Sequence, residues 1–334
     1  MKYSQHNSTL SIISGEMKFF WITNLFLWCL GSLFGQGGVS DSLLRKHVGA
    51  LAHDSMKGRF TGRSEIGLAA RYIAGQMDSI GLKKLAGMEG GFLIPWNLKM
   101  YKDNPGEHVA GVIPGSEKKE KLIIFSAHYD HVGTTSSLKA FPFGAAGKRI
   151  KGDSIFNGAN DDATGVAALL ELARLFSRVQ PSYTLMFVCF SGEELGMLGS
   201  TDFNEDLNPA SVTMNVNLEM LGRPEGRRPF IIEEEDRTVF LELLNRNLVK
   251  TGLGYPKEYF DRDPYPEQRL FRRSDNYSFH KRGISSFTIM ATDPLDKYYH
   301  SAADEVSTIQ FPQMRNIVHS VYLSLLPVVM GEKF

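Results

Sequence analysis

The strongest constraint in this chain is a set of short apolar runs, each followed by polar residues able to do chemistry. The runs are Leu122 to Ala127 (LIIFSA), Thr184 to Phe190 (TLMFVCF), Val212 to Leu218 (VTMNVNL) and Ser285 to Met290 (SSFTIM). Runs of this length and texture suit strands buried on both faces. Between them lie segments with helical periodicity: Asp41 to His53, Ser64 to Ile80, Asp162 to Val179 and Glu305 to Met330. Ser64 reads as an N-cap, Gly81 stands just past a helix end, and Pro181 stops the third helix. Strands alternating with helices predict an α/β fold, a mostly parallel central sheet with helices on both faces. In such sheets the functional residues collect just beyond the carboxyl ends of the strands.

Composition removes several classes. The 334 residues carry 37 Lys and Arg against 37 Asp and Glu. A neutral chain has no broad electrostatic footprint for nucleic acid or an anionic membrane surface. A 43% hydrophobic share with 22% charged residues excludes wholesale disorder. Two cysteines, Cys29 and Cys189, cannot make a disulfide scaffold. Cys189 lies inside a predicted strand and reads as a small core residue.

The N-terminus reads as an export signal. A polar stretch, residues 1 to 16, precedes Met17-Lys18 and the apolar run Phe19 to Phe34, with Gly35 as cleavage position and Gln36 as new terminus. Met17 is an alternative start. The competing reading is an uncleaved anchor, but the run is shorter than the ~20 apolar residues of a spanning helix. Trp28 before Cys29 argues against lipid attachment. The expected organisation is a leader and signal peptide over 1–35 and a single catalytic domain over 36–334. Export places the mature protein in the periplasm or outside the cell, with a membrane contact only through an uncleaved signal.

The residues after the strands carry the functional signal. LIIFSA leads into His128-Tyr129-Asp130-His131. His128 and Asp130 are two apart and share a side in extended chain, so the carboxylate can support one ring nitrogen while the other binds metal. A local hydrogen bond between two polar strand-end residues would look the same. Asn157 to Gly165 places Asp161-Asp162 in a glycine-rich turn that opens a helix. One acid suffices as cap and dipole complement, which leaves the other free for a cation. TLMFVCF is followed by Ser191-Gly192-Glu193-Glu194, and VTMNVNL by Glu219. Adjacent carboxylates repel unless a cation or a shared proton separates their roles. His300 follows the last strand; alone it would more often be structural. Taken jointly, two imidazoles and three carboxylates without thiolate suit zinc over manganese or cobalt. They suffice for two metals sharing one bridging acid.

In order along the chain stand KGRFTGR (Lys57 to Arg63), AHYDHVG (Ala127 to Gly133), GANDDATG, SGEELGMLGS, NLEMLGR, Ser274-Asp275-Asn276 and YHSAADEVST. This series resembles family twenty-eight of the metallopeptidases, over most of the mature chain. That family includes secreted bacterial leucyl aminopeptidases, glutamate carboxypeptidases, glutaminyl cyclases and the transferrin receptor ectodomain. The resemblance implies a zinc-exopeptidase (phosphorylase/hydrolase-like) architecture. It implies His128 as a metal ligand with Asp130 as its support, Asp161 as the bridging ligand, Glu193 as general base, and Glu194 and His300 as ligands. It also implies a cis peptide between Asp161 and Asp162. The fifth ligand is usually Asp; this chain has Glu219, one methylene longer, which puts the second metal site in question. One zinc would take Asp161, Glu194 and His300, the other His128, Asp161 and Glu219.

The implied activity is a zinc aminopeptidase acting on peptide substrates. A glutaminyl cyclase and a non-catalytic receptor-like module stay open as alternatives on the same fold. Tyr298 or Tyr299 could line a substrate pocket or pack the core, and Arg223 could meet substrate or pair with an acid. Side-chain preference and oligomeric state are not legible.

Overall fold

The computed structural model describes residues 38–85, 91–96, 106–140, 150–234 and 237–332. The leader and signal run, 1–35, lies outside the described residues. In chain order the elements are helices α1 (Asp41–Leu51) and α2 (Ile66–Ile80), strands β1 (Leu93–Trp96), β2 (Gly106–Ile113), β3 (Lys118–His128), β4 (Gly133–Thr134) and β5 (Ile155–Phe156), and helix α3 (Ala163–Phe176). Strand β6 (Tyr183–Phe190), helix α4 (Leu198–Glu205), strands β7 (Val212–Glu219) and β8 (Phe230–Ile232) and helix α5 (Val239–Lys250) follow. Strand β9 (Asp261–Arg262), helix α6 (Asn276–His280), strand β10 (Ser286–Met290) and helix α7 (Phe311–Val329) complete the described chain.

The four apolar runs become β3, β6, β7 and β10. They lie side by side and parallel in the order β6-β3-β7-β10. The full eight-stranded sheet runs β1-β2-β6-β3-β7-β10-β8-β9. Its edges are mixed: β1 pairs antiparallel with β2, β2 with β6, and β8 with β10, while β9 is parallel to β8. Pro95, in edge strand β1, sits where a missing N–H is tolerated. Strands β4 and β5 form a separate small ladder.

Side chains alternate across β3. Ile123, Phe125 and Ala127 join Leu44 of α1, Ile73 of α2, Leu169 of α3, Leu244 of α5 and Val321 of α7 in the larger core. Ile124 faces the opposite side with Val188 and Phe190 of β6, Phe203 of α4 and Phe279 of α6. Both faces are therefore covered by helices, and the fold is an α/β sheet, parallel at its centre. Cys189 is fully buried in the core. No helix among the described residues is long and apolar enough to cross a membrane.

Two helix starts differ from the sequence reading. Ser64 does not cap α2: its hydroxyl donates to Glu65 Oε2 at 3.2 Å, and the N-cap position is Glu65, without a side-chain cap bond. Gly81 does end that helix, at φ 87. The last helix begins at Phe311; Glu305 precedes only a short 3-10 turn, Val306–Thr308. Pro312 sits in the first turn of α7, where proline is favoured because its missing N–H would be unpaired anyway.

Candidate metal centre

His128 and Glu219 are the last residues of the adjacent strands β3 and β7, and Glu193-Glu194 follow β6, the other neighbour of β3. Parallel pairing thus delivers three strand ends to one edge of the sheet. Asp161 comes from the loop before α3, and His300 from the loop after β10. Asp162 is the N-cap of α3, its Oδ1 accepting the Gly165 N–H at 3.0 Å and the Met220 N–H at 3.0 Å. That division leaves Asp161 to face the cluster. The peptide between Asp161 and Asp162 is cis.

The carboxylate of Asp161 is shared between two halves. Its Oδ1 lies 3.2 Å from His128 Nε2, which is also 3.3 Å from Glu219 Oε1. Its Oδ2 lies 3.3 Å from His300 Nε2, which is also 3.1 Å from Glu194 Oε2. Two bonds of ~2.0–2.2 Å at a tetrahedral angle separate their donor atoms by about 3.3 Å. The spacing and the imidazole–carboxylate chemistry therefore fit a pair of zinc ions. His128, Asp161 and Glu219 would hold one. The other half gathers Asp161, Glu194, His300 and a further histidine, His131. Every ligand position expected from the sequence is in one of the two groups.

Without a cation the acids and imidazoles balance each other. Burial raises the Asp161 pKa, but hydrogen bonds from His128 and His300 outweigh it and hold the carboxyl well below its usual range. Burial opposes charge on His300, yet Glu194 and Asp161 push it up to about 11. Burial, with the nearby Glu219 and Glu194 carboxylates, raises Glu193 well above an ordinary glutamate despite the opposing field of His128. A cation entering this cluster would displace protons.

A second layer of residues holds the donors. His128 Nδ1 faces the Asp130 carbonyl at 3.2 Å and Asp130 Oδ1 at 3.5 Å. The Asp130 carboxylate accepts from the Thr61 hydroxyl at 3.0 Å and from the Glu193 and Glu194 N–H groups at 3.2 and 3.4 Å. Arg59 is fully buried, and its guanidinium donates to the carbonyls of Tyr129, Leu51, Asn157 and Gly158 at 2.6 to 2.9 Å. It thereby ties the His128 arm to the Asp161 loop. Asp304 accepts from the Asn160 and Asp161 N–H groups at 3.0 and 3.1 Å and from Arg223 Nη1 at 2.6 Å. Arg223 also meets Asp296 at 2.5 Å, so of its two readings the acid pairing is the one observed.

Beneath Glu219 runs a buried polar chain. Ser126 Oγ donates to Asn217 Oδ1, Asn217 Nδ2 to Ser274 Oγ, and Ser274 Oγ to Glu219 Oε2, at 2.7, 2.8 and 2.6 Å. Each link satisfies a polar group that would be costly to bury alone.

A cleft opens over the cluster. Asp161, Glu193, Glu194, Glu219 and His300 line its polar end, and Met220, Ile232, Leu270 and Met290 its apolar end. Tyr299 lines it too, stacked on the His300 ring at 4.0 Å, whereas Tyr298 lies with Arg223. His300 takes a left-handed φ of 48°, a strain of order 1–3 kcal/mol that recurs at functional sites.

Sequence reasoning passed over His131, Thr61, Arg59 and the role of Ser274. Their signal was present in quoted motifs: Arg59 and Thr61 in KGRFTGR, His131 in AHYDHVG. His131 lies past the end of β3, where strand alternation no longer says which way a side chain faces.

Residues 108–324 match the model of Peptidase family M28. Aminopeptidase YwaD of Bacillus subtilis is 24% identical over 256 residues, 71% of this chain and 48% of that protein. A probable zinc metalloprotease of Pyrenophora teres f. teres is 33% identical over 147 residues, 40% of this chain and 28% of that protein. The chain thus spans less than half the length of these relatives. Among solved structures, the zinc aminopeptidase BSAP of Bacillus subtilis superposes with a TM-score of 0.68 at 16% identity, covering 89% of this chain and 97% of that one. A Bacteroides thetaiotaomicron glutaminyl cyclase gives 0.65 at 20% identity, covering 89% and 99%. With the family model matched across the catalytic strands and the two donor groups at their carboxyl ends, this chain belongs to Peptidase family M28.

Proposed function

We propose that the protein is an exported zinc-dependent aminopeptidase that removes N-terminal residues from peptides. The observation that carries this reading is the Asp161 carboxylate, which turns one oxygen to each of two imidazole–carboxylate groups. Zinc bound by His128, Asp161 and Glu219, and by Asp161, Glu194 and His300, would lower the pKa of a water and polarise the scissile carbonyl. Glu193, at the polar end of the same cleft, takes the proton of the attacking water and passes it to the leaving amine. Asp130 holds the Glu193 and Glu194 backbone and supports His128. The apolar end of the cleft favours an apolar N-terminal side chain, and the carboxylate-rich end favours the free α-amine. The run Phe19 to Phe34 supports export.

The glutaminyl cyclase reading shares Asp161, Glu194 and His300. The intact His128–Asp161–Glu219 group favours the two-metal peptidase over it. Metal analysis of the purified protein, with a panel of free and N-terminally blocked peptides and an N-terminal glutamine peptide, tests the choice. About two zinc per chain and cleavage restricted to free N-termini support the aminopeptidase. Cyclisation of the glutamine peptide without cleavage would establish the alternative, and metal-free protein would sink both.

A further inference from the structure

His131 lies beside the Asp161–Glu194–His300 half, and no role follows for it from the family's ligand set. Its ring is fully buried. Nδ1 is 2.8 Å from Glu194 Oε1 and 3.8 Å from Asp161 Oδ2. Two roles are open to such a ring: a fourth protein ligand, or a donor that holds Glu194.

Three observations separate them. First, the donors around this half, Asp161 Oδ2, Glu194 Oε2 and His300 Nε2, stand at 3.1 and 3.3 Å, the spacing of atoms sharing a metal. His131 instead approaches the other Glu194 oxygen, Oε1, at 2.8 Å, which is a hydrogen-bond distance. Second, a ligating imidazole normally gives its remaining N–H to a carboxylate, carbonyl or water. His128 has such a partner in Asp130. His131 Nε2 is buried with no hydrogen-bond partner among the described residues. Ligation through Nδ1 would put the proton on that orphaned nitrogen, whereas donation from Nδ1 puts it where an acceptor waits. Third, the ring is oriented by packing. Gly158 lies against it, and a Cβ there would fall 2.5 Å from the His131 ring. His300 meets it edge-on at 5.6 Å, and the His131 backbone N–H donates to the Arg59 carbonyl at 3.2 Å.

We infer that His131 is a positioning residue for Glu194: Nδ1–H holds Oε1 so that Oε2 alone faces the metal beside His300 and Asp161. It does for Glu194 what Asp130 does for His128, so the AHYDHVG segment braces both halves of the centre. The inference rests on the two-zinc reading and adds a role that reading does not contain.

The test is zinc titration of the metal-free protein against a chromophoric chelator, with His131→Phe and His131→Asn. Phenylalanine keeps a ring and removes the donor. The asparagine amide nitrogen stands near the place of Nδ1 and can donate a hydrogen bond but cannot ligate zinc. The expected result is one site weakened about 10–100-fold in His131→Phe and restored to within a few-fold of the parent in His131→Asn. Cobalt-loaded parent and His131→Asn should share their visible absorption bands. Parent-like affinity in a folded His131→Phe overturns the inference. So does weak binding by His131→Asn with shifted cobalt bands, which would make His131 a ligand. Melting of the metal-free proteins checks folding, and if His131→Phe does not fold, the asparagine variant decides alone. Absence of zinc binding by the parent would sink the metal reading itself, and is seen before any variant is made.

Discussion

The hydroxyl of Ser274 donates to Oε2 of Glu219 at 2.6 Å, leaving Oε1 of Glu219 to face His128 at 3.3 Å. Glu219 stands where the family usually has the shorter aspartate, and this bond fixes the extra methylene in one position. Ser274→Ala should therefore weaken zinc at the His128 half about 10-fold or more while sparing the Glu194 half. Stepwise zinc titration reads both, and equal loss at the two sites would contradict the assignment.

Glu193→Gln removes the proposed proton acceptor but none of the proposed metal donors. Its zinc content should match the parent, with kcat lower by roughly 10²–10⁴-fold. Substantial activity in a zinc-loaded variant would show that another group takes the proton.

Metal removal should cost stability as well as activity. Asp161, Glu193, Glu194 and Glu219 line one cleft, and ions bound only to the fold stabilise it by about 4 kcal/mol at a thousandfold excess over Kd. Chelation should lower the melting temperature by several degrees, and added zinc should restore it. An unchanged melting curve would mean the cluster holds no resident ion.

Two buried histidines outside the donor set should make the fold acid-sensitive. Burial pushes His47 down to about 4 and His108 down to about 3. In the unfolded chain both take a proton near pH 6.5, while the folded chain leaves them neutral. Their contribution is thus complete above pH 6.5 and is lost as pH falls toward 4 and 3. For His47 this amounts to up to about 3 kcal/mol. His108→Leu, compared with the parent in metal-free form, should lose less melting temperature between pH 7 and pH 4. Parallel curves would contradict the assignment.

Filling the apolar end of the cleft should change selectivity. Ile232→Trp should raise KM for leucyl and phenylalanyl substrates about 10-fold relative to alanyl ones, within the discrimination that pocket size can supply. A uniform rise across all substrates would place the side-chain pocket elsewhere.

Much of the fold was legible because the central strands are buried on both faces. The runs that became β3, β6, β7 and β10 had to be continuously apolar, and that pattern survives in one dimension. The edge strands β1 and β9, and β8 beside β9, are only two to four residues long and carry no comparable pattern. The antiparallel edges therefore emerged only in three dimensions. A helix read from Glu305 starts six residues early because Val306 and Ile309 are three apart, as on one helix face, while Pro312 marks the true first turn.

By itself the sequence determined the residue types at each strand end: His128 after β3, Glu193 and Glu194 after β6, Glu219 closing β7, and Asp161 before α3. Their chemistry and order carried the family resemblance. Tertiary structure alone decided which of these atoms meet. The order β6-β3-β7 and the loops bearing Asp161 and His300 set His128 against Asp161 and Glu219, and His300 against Asp161 and Glu194. It also brought Arg59 to Tyr129, Thr61 to Asp130, His131 to Glu194 and Ser274 to Glu219, pairs 55 or more residues apart along the chain. The physical reason is that a hydrogen bond or a metal site depends on distances of a few ångströms, and only long-range packing sets those distances.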